Sequence, residues 1–361
     1  DGRLVLEDGA YRPSADLTEL ETPESLWALV ASRLDSLDPA DRRLLQAAAV
    51  IGHTFSTAGL AVVTGTAAEA LEPRLRALVR REMLVLEADP RSPERGQYAF
   101  AQELLREVAY ETLAREDRKI DHLAAARYFD ALGADELAGA LATQYQAAHR
   151  NTRPGGEADA LAVQARLSLR GAARRAKTLG ATAQAQELYE AALELASDQV
   201  DEAELLTAAA EVAVMAGHTP VAQEEYRRAI AIYRELGDRS AAARASAGLV
   251  DATLHDGWQR EKARTIAREA AREYEDLGDD EGLARLLGQL ARLEMLIQDD
   301  FDVAIAVADR TLAMAERVDA PEIVADALIT RGTCLGSIGR SLEGIGAIEA
   351  GRRLAHEEGL A

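Results

Sequence analysis

Apolar residues recur every third or fourth position along most of the chain, and from residue 157 onward this helical pattern is nested in a larger cycle. GATAQAQELYEAALELA, at 180–196, returns as GHTPVAQEEYRRAIAIY from Gly217 and as WQREKARTIAREAAREY from Trp258. It returns again as DFDVAIAVADRTLAMA from Asp300 and as GRSLEGIGAIEAGRRLA from Gly339. Ala185, Ala222, Ala263, Ala304 and Gly344 form one column, with successive members 37, 41, 41 and 40 positions apart. Ala192, Ala229, Ala270, Thr311 and Gly351 form a second, seven residues further on. A cycle of this length built from helical spacing predicts a solenoid of about five helical hairpins. The small residues have a steric cause, because helices about 8–10 Å apart have room at their crossing for a methyl group or a hydrogen and none for leucine.

The first helix of each hairpin carries its own small residue at Ala173, Ala210, Ala291 and Gly332, with Val250 as the exception. Turns are expected at Gly180, Gly217, Gly257, Gln298 and Gly339, the third and fourth one residue longer than the rest. Tyr189, Tyr226, Tyr233 and Tyr274 read as core or inter-repeat contacts. Leu-Gly-Asp at Leu236 and again at Leu277 ends a helix on glycine and caps the next with aspartate.

Before the repeats the pattern differs. LVLEDGAYR, 4–12, places apolar residues on both sides of Asp8-Gly9, a strong hairpin signal. Thr22-Pro23 opens a helix whose apolar face is Leu26, Leu29, Val30, Leu34 and Leu37, and Asp38-Pro39 opens a second. Helices near Thr57–Val63 and from Ala67 to Arg81 follow. Two short extended runs, 83–86 and 97–100, then flank the turn-rich DPRSPERG, 89–96. Helices followed by a β-hairpin predict a winged-helix-like domain. Gln102–Leu113 and Ile120–Leu132 read as two more helices separated by a charged break, Arg115–Lys119. His122 has no histidine or cysteine at ligand spacing and reads as a surface or packing residue. Ala134–Arg150 is a further helix.

Aromatic residues are only 4% against 48% apolar overall, so alanine and leucine carry the burial, which suits closely packed helices. The 361 residues include 41 basic and 62 acidic side chains, a formal charge of −21 that repels nucleic acid and anionic membrane except at a local basic patch. Cys334 is the sole cysteine, so no internal disulfide forms and a reducing, cytoplasmic compartment is expected. No signal-peptide or membrane-spanning pattern is seen. The chain begins at Asp1 and reads as a piece of a longer protein.

Arg33-Leu34-Asp35-Ser36-Leu37, 45–52 (LQAAAVIG), 108–113 (VAYETL), 115–119 (REDRK) and 122–126 (HLAAA) together resemble one setting. It is the region after the nucleotide-binding domain in bacterial fusions of a class III adenylate/guanylate cyclase, a STAND-type AAA-like ATPase and tetratricopeptide repeats (TPR). LuxR-type STAND regulators share the layout. The resemblance is specific over the first 150 residues and only class-level in the repeats. It implies an ATPase switch, using ATP and Mg in the parent protein, whose winged-helix arm and repeats regulate an output domain. This chain has neither a GxxxxGK[ST] loop nor a cyclase-like aspartate pair, so no catalytic, cofactor or metal residue is carried over.

The expected architecture is mostly α: residues 1–21 a hairpin tail of an upstream ATPase domain, 22–132 a winged-helix-like arm, and 133–361 a TPR-like α-solenoid. The expected function is non-catalytic, with a protein or peptide bound on the concave face of the array and the arm in contact with the ATPase. The best local basic patch is Arg166, Arg170, Arg174, Arg175 and Lys177, the candidate partner-binding residues. The acidic turns 275–282 and 298–302 lack the alternating ligand spacing of a calcium loop. The alternative is a DNA-binding winged-helix regulator using Arg74, Arg76, Arg80 and Arg81, although that helix lacks an Asn or Gln cluster for base edges.

Overall fold

The computed structural model describes residues 4–7, 10–13, 24–87, 96–257, 259–297 and 300–359. The Asp8-Gly9 turn, the Thr22-Pro23 helix start and most of DPRSPERG lie outside them, as does the fourth repeat turn at Gln298. The chain forms two compact units, Asp1–Leu161 and Ala162–Ala361.

In the first unit, β1 (Leu4–Glu7) pairs antiparallel with β2 (Ala10–Pro13), as the hairpin signal requires. Next come α1 (Glu24–Asp35), α2 (Pro39–Ile51), β3 (Thr54–Phe55), α3 (Thr57–Thr64), α4 (Ala68–Arg80), β4 (Leu84–Leu86) and β5 (Tyr98–Phe100). The sheet order is β3-β5-β4, both pairs antiparallel. Helix, strand, two helices and a closing hairpin make a winged-helix-like domain. Asp38 caps α2 by accepting a hydrogen bond from the Ala40 amide, with Pro39 in the first turn. β3, only Thr54–Phe55, is too short to show a period and no pattern of residues marks it. Val30 and Leu34 on α1 and Leu37 just after it are buried as expected, but Leu26 and Leu29 are exposed, because no described element covers the start of the helix.

α5 (Glu103–Glu111), α6 (Arg115–Leu132) and α7 (Ala138–Arg150) complete this unit, together with the start of α8 (Gly156–Thr178). The charged stretch 115–119 is the first turn of α6 rather than a break. Its Glu116 and Asp117 favour a helix N-terminus, and its arginines reach the ends of other helices. Arg118 donates to the Glu111 and Leu113 carbonyls at the end of α5. Arg115 donates to those of Arg150, Asn151 and Thr152 at the end of α7.

His122 is a packing residue, buried and held on both ring nitrogens. Nε2 is 2.9 Å from the Tyr110 hydroxyl and Nδ1 2.6 Å from Gln144 Oε1. Gln144 in turn donates to the Val50 and Ile51 carbonyls at the end of α2. Burial lowers the His122 pKa, against the pull of the Gln144 hydrogen bond. Beside it, buried Asp121 accepts two hydrogen bonds from Arg43 at 2.6 and 2.7 Å.

The second unit is the α-solenoid, with five hairpins. Their first helices, called A, are α8, α10 (Gln199–Met215), α12 (Arg239–His255), α14 (Glu281–Ile297) and α16 (Pro321–Ser337). Their second helices, called B, are α9 (Thr182–Leu193), α11 (Thr219–Leu236), α13 (Arg260–Glu273), α15 (Phe301–Arg317) and α17 (Ser341–Glu357). Every member of the three small-residue columns is buried. At the crossing of α16 on α17 the backbones approach so closely that a Cβ on Gly332 would stand 2.6 Å from the Gly344 carbonyl oxygen. The third turn, 256–259, is one residue longer than those at 179–181, 216–218 and 338–340. Gly237 and Gly278 end their elements with left-handed φ of 75° and 71°. Asp238 caps α12, but after Gly278 the cap is Asp280, since Asp279 is taken by Arg317.

Candidate functional site: the face of the A helices

An A helix buries its small-residue column against helix B, and the side chains pointing away from that contact form a face shared by all five. Positions on it are fixed by distance from the buried column. Glu204, Arg244, Arg285 and Asp326 each stand six residues before the column residue of their helix, at Ala210, Val250, Ala291 and Gly332. Arg174, Glu211, Asp251 and Arg292 each stand one residue after it. Successive repeats therefore place these side chains side by side.

The first three A helices enclose a groove of about 740 Å³ on this face, within the range usual for ligand sites. Its charged lining is Arg170, Arg174, Lys177, Arg244, Glu204 and Glu211. Arg170 pairs with Glu204 at 2.7 Å and Lys177 with Glu211 at 2.6 Å. Both carboxylates are thereby taken, and Arg174 and Arg244, both exposed, have no ion pair or side-chain hydrogen bond among the described residues. Tyr189 and Tyr233 also line the groove, although each is almost wholly buried. Burial raises the pKa of both, so they stay neutral hydroxyls. The groove thus carries two uncompensated guanidinium groups in a chain of formal charge −21.

The five basic residues singled out in the sequence are divided by the fold. Arg166 is buried and structural: it bonds Ser197 and pairs with Asp201 at 2.5 Å, tying α8 to the start of α10. Arg170 and Lys177 line the groove in ion pairs, and Arg174 stands there unpaired. Arg175 is half-buried and engaged elsewhere. Sequence reasoning missed Arg244, which is 70 positions from Arg174 in a different repeat. Its signal was the repeat register, six residues before Val250.

No protein-family model and no curated protein matches the chain. Among solved structures it is similar to a STAND protein with a tetratricopeptide repeat sensor from Pyrococcus horikoshii. The identity is 12% and the TM-score 0.44, over 93% of this chain and 53% of that one. It is similar to a Rap protein complexed with competence and sporulation factor at 17% identity and TM-score 0.46, over 80% and 77%. To aspartyl phosphate phosphatase F from Bacillus subtilis it has 12% identity and TM-score 0.45, over 93% and 79%. With TM-scores below 0.5 these likenesses carry no argument, and the fold rests on the elements above.

The acidic turn 275–282 is occupied within the array. Asp276 holds Arg239 and Asp279 holds Arg317, each at 2.6 Å. Both carboxyls are kept below the usual range by those arginine hydrogen bonds. Among the described residues no group of three His, Cys, Asp or Glu could hold a metal ion, and no helix is long and apolar enough to cross a membrane. On α4, Arg74 is paired with Asp41 and Asp38, and Arg76 with Glu72.

Proposed function

We propose that this chain is a non-catalytic regulatory and protein-interaction region whose array receives an acidic segment of a protein partner. The observation that carries the reading is the unpaired Arg174 and Arg244 above buried tyrosines, in the groove of α8, α10 and α12. A carboxylate gains charge-assisted hydrogen bonds there without breaking the ion pairs beside it. Fluorescein-labelled hexaglutamate is the direct probe. Arg174→Glu and Arg244→Glu together should weaken its binding at least ten-fold, and an unchanged affinity would reject the groove as the site.

The finer reading takes residues 1–21 as the tail of an upstream STAND ATPase domain, 22–132 as an arm and 133–361 as the array. Partner binding is then relayed through the arm to the ATPase and a nucleotide cyclase output, in a cytoplasmic protein. It is supported by the arm-then-array order and by the sequence resemblance. A relay requires the partner to bind two conformations unequally. Deleting residues 157–361 from the full-length protein should abolish the response of nucleotide turnover to partner. Turnover that responds equally without the array would reject the relay.

The winged-helix-like order of α2 to β5 favours one alternative, DNA binding. With Arg74 and Arg76 already held by carboxylates, only Arg80 and Arg81 of that helix remain to meet a phosphate backbone, too few for firm binding in so acidic a chain. A gel shift at low salt should show no complex.

A further inference from the structure

Further along the same face, α14 and α16 enclose a second cavity, of about 230 Å³. That is below the range of roughly 300–1,000 Å³ usual for drug-sized ligands, so the space suits a smaller molecule. Its charged lining is Arg285 and Arg292 from α14 and Glu322 and Asp326 from α16. Met295, Ile323 and Ile329 supply an apolar wall.

These charges are not all matched. Arg285 is held through Nη2 by Glu322 at 2.7 Å and Glu281 at 3.3 Å. Arg292 is half-exposed, and its one polar contact among the described residues is a long one, Nη1 at 3.4 Å from Asp251. Asp326 is exposed and makes neither an ion pair nor a hydrogen bond among the described residues. Arg292 acts on the Asp326 carboxyl electrostatically, yet the two stand beyond ion-pair distance, each lining the cavity. The protein walls around Asp326 raise its pKa, against the pull of Arg292 and Arg285. The carboxyl therefore lacks the close counter-charge that would hold its anion. A lone anion in the cavity would meet Arg292 but face Asp326. A lone cation would meet Asp326 but face two guanidinium groups. A molecule with both charges a short distance apart answers both.

We propose that this cavity binds a free aliphatic α-amino acid, its carboxylate on the Arg292 guanidinium and its ammonium on the Asp326 carboxylate. Met295, Ile323 and Ile329 then receive its side chain. Both ends gain charge-assisted hydrogen bonds, the stronger kind. A residue inside a peptide has neither main-chain charge, so the site takes the free molecule and not a chain segment. It differs from the acidic-segment groove in ligand and in position, since Arg174 and Arg244 lie on α8 and α12 and this site on α14 and α16. The array thus carries a small-molecule site as well as a groove for a protein partner.

The test titrates the full chain with L-leucine by isothermal calorimetry, in parallel with two analogues that each lack one charge. L-leucinamide has no carboxylate, and 4-methylpentanoate has no ammonium. L-leucine should bind saturably, and each analogue about ten-fold more weakly, the worth of one hydrogen bond between charged groups. Asp326→Asn should weaken L-leucine by a similar factor without weakening 4-methylpentanoate. Arg292→Gln should weaken L-leucine likewise without weakening L-leucinamide. Neither side chain is part of the core, and the comparison of analogues on the native chain needs no variant. No saturable binding of L-leucine, equal binding of either analogue, or an affinity indifferent to both substitutions would each overturn the proposal. Hexaglutamate binding, which depends on Arg174 and Arg244, is read separately, so either site can fail without the other.

Discussion

Single residues in this chain are constrained mainly by how closely backbones approach. Replacing an exposed helix-interior glycine by alanine gains about 1 kcal/mol of helix propensity. At Gly332 and Gly344 the sign reverses, because a Cβ on either would stand 2.6 Å from the other's carbonyl oxygen. Gly332→Ala should cost roughly 1–3 kcal/mol in denaturant melts, and a gain would mean the helices are further apart than described. Glu225 shows a different constraint. Its carboxyl is buried, its Oε2 has no partner, and burial, reinforced by Glu190, raises its pKa from 4.5 to about 7. The folded chain therefore holds this proton more tightly than the unfolded one. The stabilisation is complete below the unfolded value and is lost as pH rises through 7. Glu225→Gln, neutral throughout, should gain on the native chain by on the order of 2 kcal/mol between pH 5 and pH 8. Parallel pH dependences would show that the carboxyl is solvated.

Elements are joined by side chains that serve another element's backbone. The first turn of α6 closes the C-termini of α5 and α7 through Arg118 and Arg115, and His122 and Gln144 link α5 and α7 to α2. Arg115→Ala leaves the last carbonyls of α7 without their donor and should cost about 1 kcal/mol. Arg115→Lys should restore only part of this, because an ammonium cannot span three carbonyls in the manner of a guanidinium. The links made by Arg115 and Gln144 join residues 35 to 94 positions apart in sequence, and a local pattern of apolar positions carries no trace of them. The charged run 115–119 was legible as polar; its acidic residues suit a helix start, and the neighbouring helix ends take up its arginines.

Across the array, the main core cluster runs from Ala203 on α10 to Ile323 on α16, while α17 leaves Leu342 and Ile345 exposed. In a one-dimensional array each repeat is held by the neighbours it packs against, so stability falls away from the shared core cluster. Amide hydrogen exchange should be slowest in α11–α14 and faster in α9 and α17. Leu342→Glu should change stability by less than about 0.5 kcal/mol, and a larger loss would mean that this side chain is buried. Charge is ordered on the same scale. Arg166–Asp201, Arg170–Glu204, Lys177–Glu211 and Arg285–Glu322 each bridge successive repeats, which leaves the formal charge of −21 broken by few uncompensated cations.

The sequence by itself determined the number of hairpins, the buried columns and the winged-helix-like order, because each follows from periodicity and local turn chemistry, which act within a few residues. It also marked the stripe Arg166, Arg170, Arg174 as basic. Which of these arginines is available was decided only in three dimensions. Arg166 turns inward to Asp201, Arg170 is matched by Glu204 on the next A helix, and Arg174 is left to stand with Arg244 from two repeats away. Charge compensation depends on which side chains meet across helices, and that is set by the stacking of repeats rather than by the order of residues within one.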